Sequence, residues 1–466
     1  VSEGVEVLVR LGLAQGDGER LPRLPSAEVG PANARRRALL ARIADAGAVG
    51  HKGAKPRLGE LSPGCVKCAE RAWSCLFLNQ HCDGRCFFCP GPMDTRGAAP
   101  FAERFVFHGP DAYARYVERL GFTGVSFSGG DPLLSPELLR AYVDAVRERL
   151  GDAVYVWVYT NGSTLGAGRG GVDARGRERL RRLFAGGAVD ELRFNVAAWD
   201  YDLAAVAEAA AIAPRVTVEI PAIPEDLERL KTLVVELERL GVAHLNLHQL
   251  MVLGTNGEAL TARPYRFTTG SVPAVIDSEL CALELMAYAL DAGVSLPINY
   301  CGASYKERYH ATALDLRAAT LVARGCEAVT ETGTLRRLRV PEAEAGRVIA
   351  ALEAAGAPSA SWWRDPEGGL VVHPTALRGV EAPSGVTVRY YRCLLLGAQD
   401  GVDDDASAPW ECHPVDLGDT RLHVAVAPAS PDLPVDRVAL RTLAAGDVPP
   451  ALLPWERLPH GLPDYA

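Results

Sequence analysis

Three cysteines share one short stretch, Cys82-Asp-Gly-Arg-Cys86-Phe-Phe-Cys89-Pro. The spacing C-x3-C-x2-C comes directly after an apolar run that reads as a strand. Three thiolates on such a loop can hold three irons of a cubane [4Fe–4S] cluster. No fourth cysteine is close enough on the loop, so one iron stays open to another ligand. Zinc usually draws paired ligands from two separate loops, which a single loop fits poorly. Phe87 and Phe88 would shield the cluster from water.

Six of the eleven cysteines lie between residues 65 and 89. An odd count, unevenly spread, makes a poor disulfide framework, and crowding points to metal or redox chemistry. Cys65-Val-Lys-Cys68 and Cys75 precede the three-cysteine loop, and Cys301 ends a later apolar run. Cys65 and Cys68, joined by two of Cys75 and Cys301, would give a second Fe–S cluster. Cys75 belongs at the start of its strand and Cys301 at the end of another, which sets these two apart. The competing readings are zinc at Cys65 and Cys68, a Cys301 thiol that returns a hydrogen atom to a product radical, or inert thiols. Cys281 reads as core; Cys326, Cys393 and Cys412 read as buried thiols.

Positioning these groups requires a scaffold, and the chain supplies one by alternation. Apolar runs at 74–79, 123–127, 153–159, 190–196, 215–220, 243–248 and 294–300 read as strands. Amphipathic stretches near 110–120, 135–150, 177–186, 202–212, 225–240, 276–292 and 304–323 read as helices. Repeated strand–helix units imply an α/β fold with a parallel sheet and right-handed crossovers, as an open or closed barrel. Polar residues at the strand C-terminal ends then face a common site. Before this lies a segment with one helix near 32–46, capped by Asn33, expected to wrap the body. Beyond residue 325 the rhythm changes to a small α+β pattern, with strands at 333–340, 369–373, 386–396 and 420–426 and a helix at 341–355.

With those elements in place, the cysteine loop resembles the signature of radical SAM enzymes. The resemblance implies a [4Fe–4S] cluster on Cys82, Cys86 and Cys89. Its open iron would be chelated by the amino and carboxylate groups of S-adenosylmethionine. Phe88 occupies the aromatic place before the third cysteine. Ser128-Gly129-Gly130-Asp131-Pro132 resembles the family's glycine-glycine-acid-proline motif, with Asp131 where Glu is commoner. Thr160-Asn161-Gly162 is similar to its Thr-Asn-Gly turn, Asn195 to a polar cofactor contact, and Glu219 falls where the ribose would be reached. The likeness spans roughly residues 73–300.

The resemblance implies a partial (β/α) barrel over residues 73–325, an N-terminal cysteine-bearing extension over 1–72, and a C-terminal α+β substrate or accessory region over 326–466. It implies a 5′-deoxyadenosyl radical that takes hydrogen from a small-molecule or peptide substrate, with electrons from a flavodoxin- or ferredoxin-type donor. RNA modification and methyl transfer use the same apparatus and remain alternatives. So does a non-catalytic Fe–S or zinc scaffold or electron carrier, although a carrier needs no cofactor cradle.

His248 shares a strand face with Asn246 and, with Cys301, is a candidate catalytic residue. Ser304–His310 opens a helix beside Cys301, and Tyr305, Lys306 or Arg308 could meet an anionic group. A solvated helix face is the favoured reading there. Arg336 and Arg337 read as an exposed basic strand. Lys and Arg number 49 against 58 Asp and Glu, a net charge of −9, which disfavours broad capture of nucleic acid or an anionic membrane. The apolar runs fall short of the ~20 residues of a membrane span, and residues 1–15 lack a secretory pattern, so a cytoplasmic protein is expected.

Overall fold

The computed structural model describes residues 21–91, 97–168, 171–253, 255–269, 272–365, 368–397, 411–418 and 420–466. Residues 1–15, read above for a secretory pattern, lie outside the described residues. No described helix is long and apolar enough to cross a membrane.

The first sheet has eleven strands. β1 (Ala48–Val49) and β2 (Lys55–Leu58) precede β3 (Trp73–His81), and β4 (Phe101–Ala102) and β5 (Phe105–Val106) follow as a short hairpin. Then come β6 (Gly124–Gly130), β7 (Tyr155–Thr160), β8 (Glu191–Phe194), β9 (Val216–Pro221), β10 (His244–His248) and β11 (Ile298–Cys301). Their order is β1-β2-β11-β10-β9-β8-β7-β6-β3-β4-β5. From β3 through β6 to β11 every neighbouring pair is parallel. β2 joins antiparallel beside β11, so the N-terminal segment is part of this sheet instead of wrapping it. Among the described residues β3 and β11 do not pair, and the sheet is open at that seam. A smaller cavity of about 200 Å³ lies there, between Trp73 and Cys75 of β3 and the helical segment carrying Tyr309 and His310.

Period-2 alternation explains the two faces. Val156 and Val158, Leu192 and Phe194, and Val216, Val218 and Ile220 are buried against the surrounding helices. Their neighbours Trp157, Arg193, Glu219, Asn246 and Asn299 point inward and make the lumen aromatic and polar. The helix Leu227–Arg239 buries Leu230, Leu233, Val234 and Leu237, one apolar stripe at helical spacing. Truncating any of these leucines to Ala would cost roughly 2–5 kcal/mol. The helix Pro63–Ala69 crosses beneath the lumen: a Cβ on Gly64 would meet the Arg193 guanidinium, and one on Gly124 would meet the Lys67 side chain.

The second sheet is antiparallel: β12 (Ala328–Val329), β13 (Thr334–Val340), β14 (Trp362–Arg364), β15 (Leu370–Val372), β16 (Thr387–Leu396), β17 (Glu411–Asp416), β18 (Arg421–Pro428) and β19 (Leu433–Pro434). With the helices Glu342–Ala354 and Arg437–Ala445 it encloses its own apolar cluster around Leu338, Val348, Leu352 and Tyr390.

Four local readings are corrected. Asn33 lies inside a helix that begins at Ser26, and its amide holds the backbone of Tyr465 by bonds of 3.1 and 2.9 Å. Arg336 and Arg337 are buried, because carboxylates meet them: Glu456 at 2.7 Å for Arg336, Glu327 at 2.5 Å and Glu411 at 2.8 Å for Arg337. Cys412 is exposed, on the sheet's edge strand β17. The helix expected over 304–323 is interrupted, since Ala311 N–H donates to Lys306 O in an i→i+5 turn over Lys306–His310.

Candidate active site

The loops after the parallel strands open into a cavity of about 400 Å³, and Cys82, Cys86 and Cys89 line one wall of it. The loop is held from within: Gly84 N–H donates to Cys82 Sγ (3.4 Å) and Cys89 N–H to Cys86 O (3.0 Å). No three His, Cys, Asp or Glu side chains among the described residues are drawn together around one point. The three thiols share a wall without converging.

Ser128, Gly129 and Gly130 line the next part of the cavity. Both glycines are left-handed, with φ of +78° and +83°. A Cβ on Gly129 would run into the backbone of Phe77, and one on Gly130 into the His81 carbonyl. Asp131 N–H donates to that same carbonyl at 2.7 Å. The turn therefore lies backbone to backbone against the strand that launches the cysteine loop, which only glycine permits.

Asp131 itself is fully buried and faces away from the cavity. Its carboxylate accepts from Thr160 Oγ1 (2.8 Å), Asn161 N–H (3.0 Å) and Leu133 N–H (3.0 Å). Burial pushes its pKa up to about 6 in spite of these bonds. It fastens the glycine turn to the Thr-Asn-Gly turn.

Thr160 and Asn161 reach the cavity. The Asn161 amide donates to Asp83 Oδ1 at 2.9 Å and lies 3.6 Å from Cys82 Sγ. Asn195 also lines the cavity, one residue past the end of β8 and not on the strand as expected. Its Oδ1 is buried without a hydrogen-bond partner. Phe88 lines the cavity, with its carbonyl held by Asn256 Nδ2 at 3.0 Å. Phe87 and Phe88 pack against Leu250 and Leu260, and Arg263 covers the Phe87 ring at 3.5 Å.

Glu219, His248 and Lys306 form another part of the lining. Glu219 Oε2 accepts from Arg193 Nη1 and Asn246 Nδ2, both at 2.8 Å, and Oε1 lies 3.0 Å from His248 Nε2. Burial alone would raise the Glu219 pKa; the Arg193 guanidinium and His248 outweigh it and hold the carboxyl below the usual range. The resemblance assigns Glu219 to a ribose, yet both its oxygens are already engaged by protein groups, and it orients His248. Burial, then the charge of Lys306, lowers the His248 pKa. Lys306 Nζ lies 3.4 Å from His248 Nδ1. Nothing in the sequence favoured Lys306 over a solvated face; it reaches the cavity directly after the turn Ala303–Tyr305 that follows β11.

The other cysteines are placed elsewhere. Cys301 is buried among Ala54, Tyr305, Tyr309 and Leu458 and does not line the cavity, because the turn Ala303–Tyr305 folds over it. Cys68 Sγ pairs with His310 Nε2 at 2.8 Å. Cys65 Sγ lies 3.7 Å from both Arg193 Nη1 and Asn299 Nδ2. Burial raises the Cys68 and Cys75 thiols to about 12 each. Cys75, expected low on its strand, lines both cavities.

A cluster with a small zwitterionic ligand fits this cavity on three grounds: three thiols on one loop, a glycine turn open to close approach, and the orphaned Asn195 Oδ1. Residues 77–220 match the model of the radical SAM superfamily. The chain is also 23% identical, over 60% of its own length and 73% of the relative's, to a protein of Methanocaldococcus jannaschii whose name offers it as a glycyl-radical enzyme activating enzyme. The family match covers the cysteine loop, both turns, Asn195 and Glu219, and stops before His248 and Lys306.

Proposed function

We propose, from the premise that this chain is a radical SAM enzyme, that its first sheet works as an open (β/α) barrel taking hydrogen from a small-molecule or peptide substrate inside the lumen. The observation that carries this reading is that Cys82, Cys86, Cys89, the Ser128-Gly129-Gly130 turn, Thr160-Asn161 and Asn195 meet in one cavity. They come from four different strands, and their order along the chain is the family's.

Cys82, Cys86 and Cys89 would hold the cluster, and Gly129 and Gly130 would admit the amino group of S-adenosylmethionine. When bound there, the pair supplies reductive cleavage to methionine and a 5′-deoxyadenosyl radical able to take hydrogen from carbon. The chain's own task is placement and exclusion. Asp131 fixes the two turns relative to one another, and Asn161 fixes the loop at Cys82. Phe87 and Phe88 close the cysteine wall to water. Asn195 Oδ1 is free to accept a hydrogen bond from the bound cofactor. His248, held neutral, offers a polar contact without a competing charge.

The name of the archaeal relative favours a second reading, in which the hydrogen comes from a glycine of a partner protein. In either case electrons come from a flavodoxin- or ferredoxin-type donor, and the region 326–466 serves substrate or partner. A second cluster on Cys65 and Cys68 gains no support from their pairing with His310 and Arg193.

The test is 5′-deoxyadenosine formation by anaerobically reconstituted protein under a strong reductant, against a Cys82/Cys86/Cys89 triple Ala variant. Formation by the native chain and none by the variant is expected. No formation by reconstituted native protein, with cluster present and substrates supplied, would overturn the reading.

A further inference from the structure

Five charged side chains, Glu219 among them, form one cluster, and their charges do not cancel. Arg193 bridges Glu191 (2.9 Å) and Glu219 (2.8 Å); Arg193 and Glu191 are buried, and Glu219 reaches the cavity lining. Lys55 is 1% exposed, with its ammonium 3.7 Å over the Tyr305 ring. Lys306 is the fifth, half-buried at the cavity wall. Two carboxylates face three cations, which leaves one positive charge over.

Geometry says where that charge is offered. Glu219 Oε1 accepts a hydrogen bond from His248 Nε2–H at 3.0 Å, which leaves the Nδ1 lone pair facing Lys306 Nζ at 3.4 Å. The ammonium donates one N–H to the imidazole and keeps two. No carboxylate among the described residues lies within ion-pair distance of Lys306. Gln249, beside it in the lining, is spent on backbone: its amide binds Val275 O at 3.1 Å and Ala303 N–H at 2.8 Å. The groups assigned to cluster and cofactor leave β3, β6, β7 and β8, whereas His248 ends β10 and Lys306 follows β11.

We propose that Lys306, aimed by His248, is the anchor for a carboxylate of the substrate. The one surplus charge balances a monoanion, and the lone ammonium offers no fork for bidentate binding of a phosphate. The substrate is then a small carboxylic acid, or a peptide bound through its C-terminus or an acidic side chain. This rests on the preceding reading that substrate occupies the cavity. The same chemistry has a second source, the carboxylate of S-adenosylmethionine, which the test separates.

The test is reductive methylation of the full-length protein, with modification at Lys306 read by mass spectrometry. Propionate is the substrate-side probe and propionamide its neutral control. At tenfold above its dissociation constant, propionate is expected to slow Lys306 labelling about tenfold. Propionamide leaves the rate unchanged, and the propionate effect persists with S-adenosylmethionine present. Equal labelling with and without propionate overturns the proposal. Protection by S-adenosylmethionine alone, to which propionate adds nothing, overturns the substrate assignment in favour of the cofactor. Labelling needs no turnover. Protection without any 5′-deoxyadenosine would sink only the reaction reading, and 5′-deoxyadenosine without protection would sink only the anchor.

Discussion

Asn161 and Cys82 lie 79 residues apart in sequence, yet the amide of one stands 3.6 Å from the sulfur of the other. The same amide holds Asp83 at 2.9 Å, so the turn after β7 fixes the start of the cysteine loop. A donor aimed at a cluster sulfur stabilises the reduced, more negative state. Asn161→Leu should therefore lower the reduction potential of the bound cluster, by an amount on the order of tens of millivolts. Potentiometric titration followed by electron paramagnetic resonance measures it. An unchanged potential would mean that the contact is not made in the loaded protein.

Gly130→Ala should be far worse than its single methyl suggests. The new Cβ meets the His81 carbonyl, and the residue must hold φ near +83°. A left-handed non-glycine residue alone costs roughly 1–3 kcal/mol, and relief of the clash would push β6 from β3. The expected outcome is a loss of about 3 kcal/mol in denaturant unfolding, with S-adenosylmethionine binding weakened beyond what stability explains. Equilibrium dialysis checks the second part.

Iron content separates the two cysteine groups. Anaerobic reconstitution should load about four irons per chain, as one cubane requires. The Cys82/Cys86/Cys89 triple Ala variant should load none, and a Cys65/Cys68 double Ala variant should keep the full complement. About eight irons in the native chain, falling to four in the triple variant, would instead assign a second cluster to the remaining cysteines.

Glu219→Gln tests the buried charge network and its pH dependence. Removing the Glu219 charge leaves Arg193 with Glu191 as its remaining carboxylate and gives His248 and Asn246 a weaker acceptor, at a cost of about 1–3 kcal/mol near neutral pH. Because the folded-state pKa of Glu219 is depressed, its contribution is complete above the unfolded value of about 4.5. It is lost as pH falls below that, through the folded value. The gap in thermal midpoint between native and variant protein should be constant from about pH 5.5 to 7.5 and should narrow on acidification below about pH 4.5. A gap that widened in acid would contradict the ion pair with Arg193.

Local pattern made much of this protein legible. Strand–helix alternation placed the parallel strands to within a few residues, the last expected from 294 and beginning at Ile298, because period-2 and period-3.6 burial are written directly in apolar spacing. The cluster loop and the two glycine-containing turns were readable for a related reason, since their chemistry is carried by neighbours a few residues apart. Tertiary structure alone decided the rest. Whether Arg336 and Arg337 are exposed depends on Glu327, Glu411 and Glu456, which lie 10 to 120 residues away. Asp131 read as a cofactor contact, and its carboxylate accepts from Thr160 and Asn161, which arrive from the next strand. Cys301 read as a candidate cluster ligand or reactive thiol at the rim, and Lys306 as part of a solvated helix face. The fold-over of Tyr305 buries the thiol, and Lys306, next along the chain, reaches the cavity. Side-chain identity is local, but exposure and charge pairing are set by whichever distant segment packs against it.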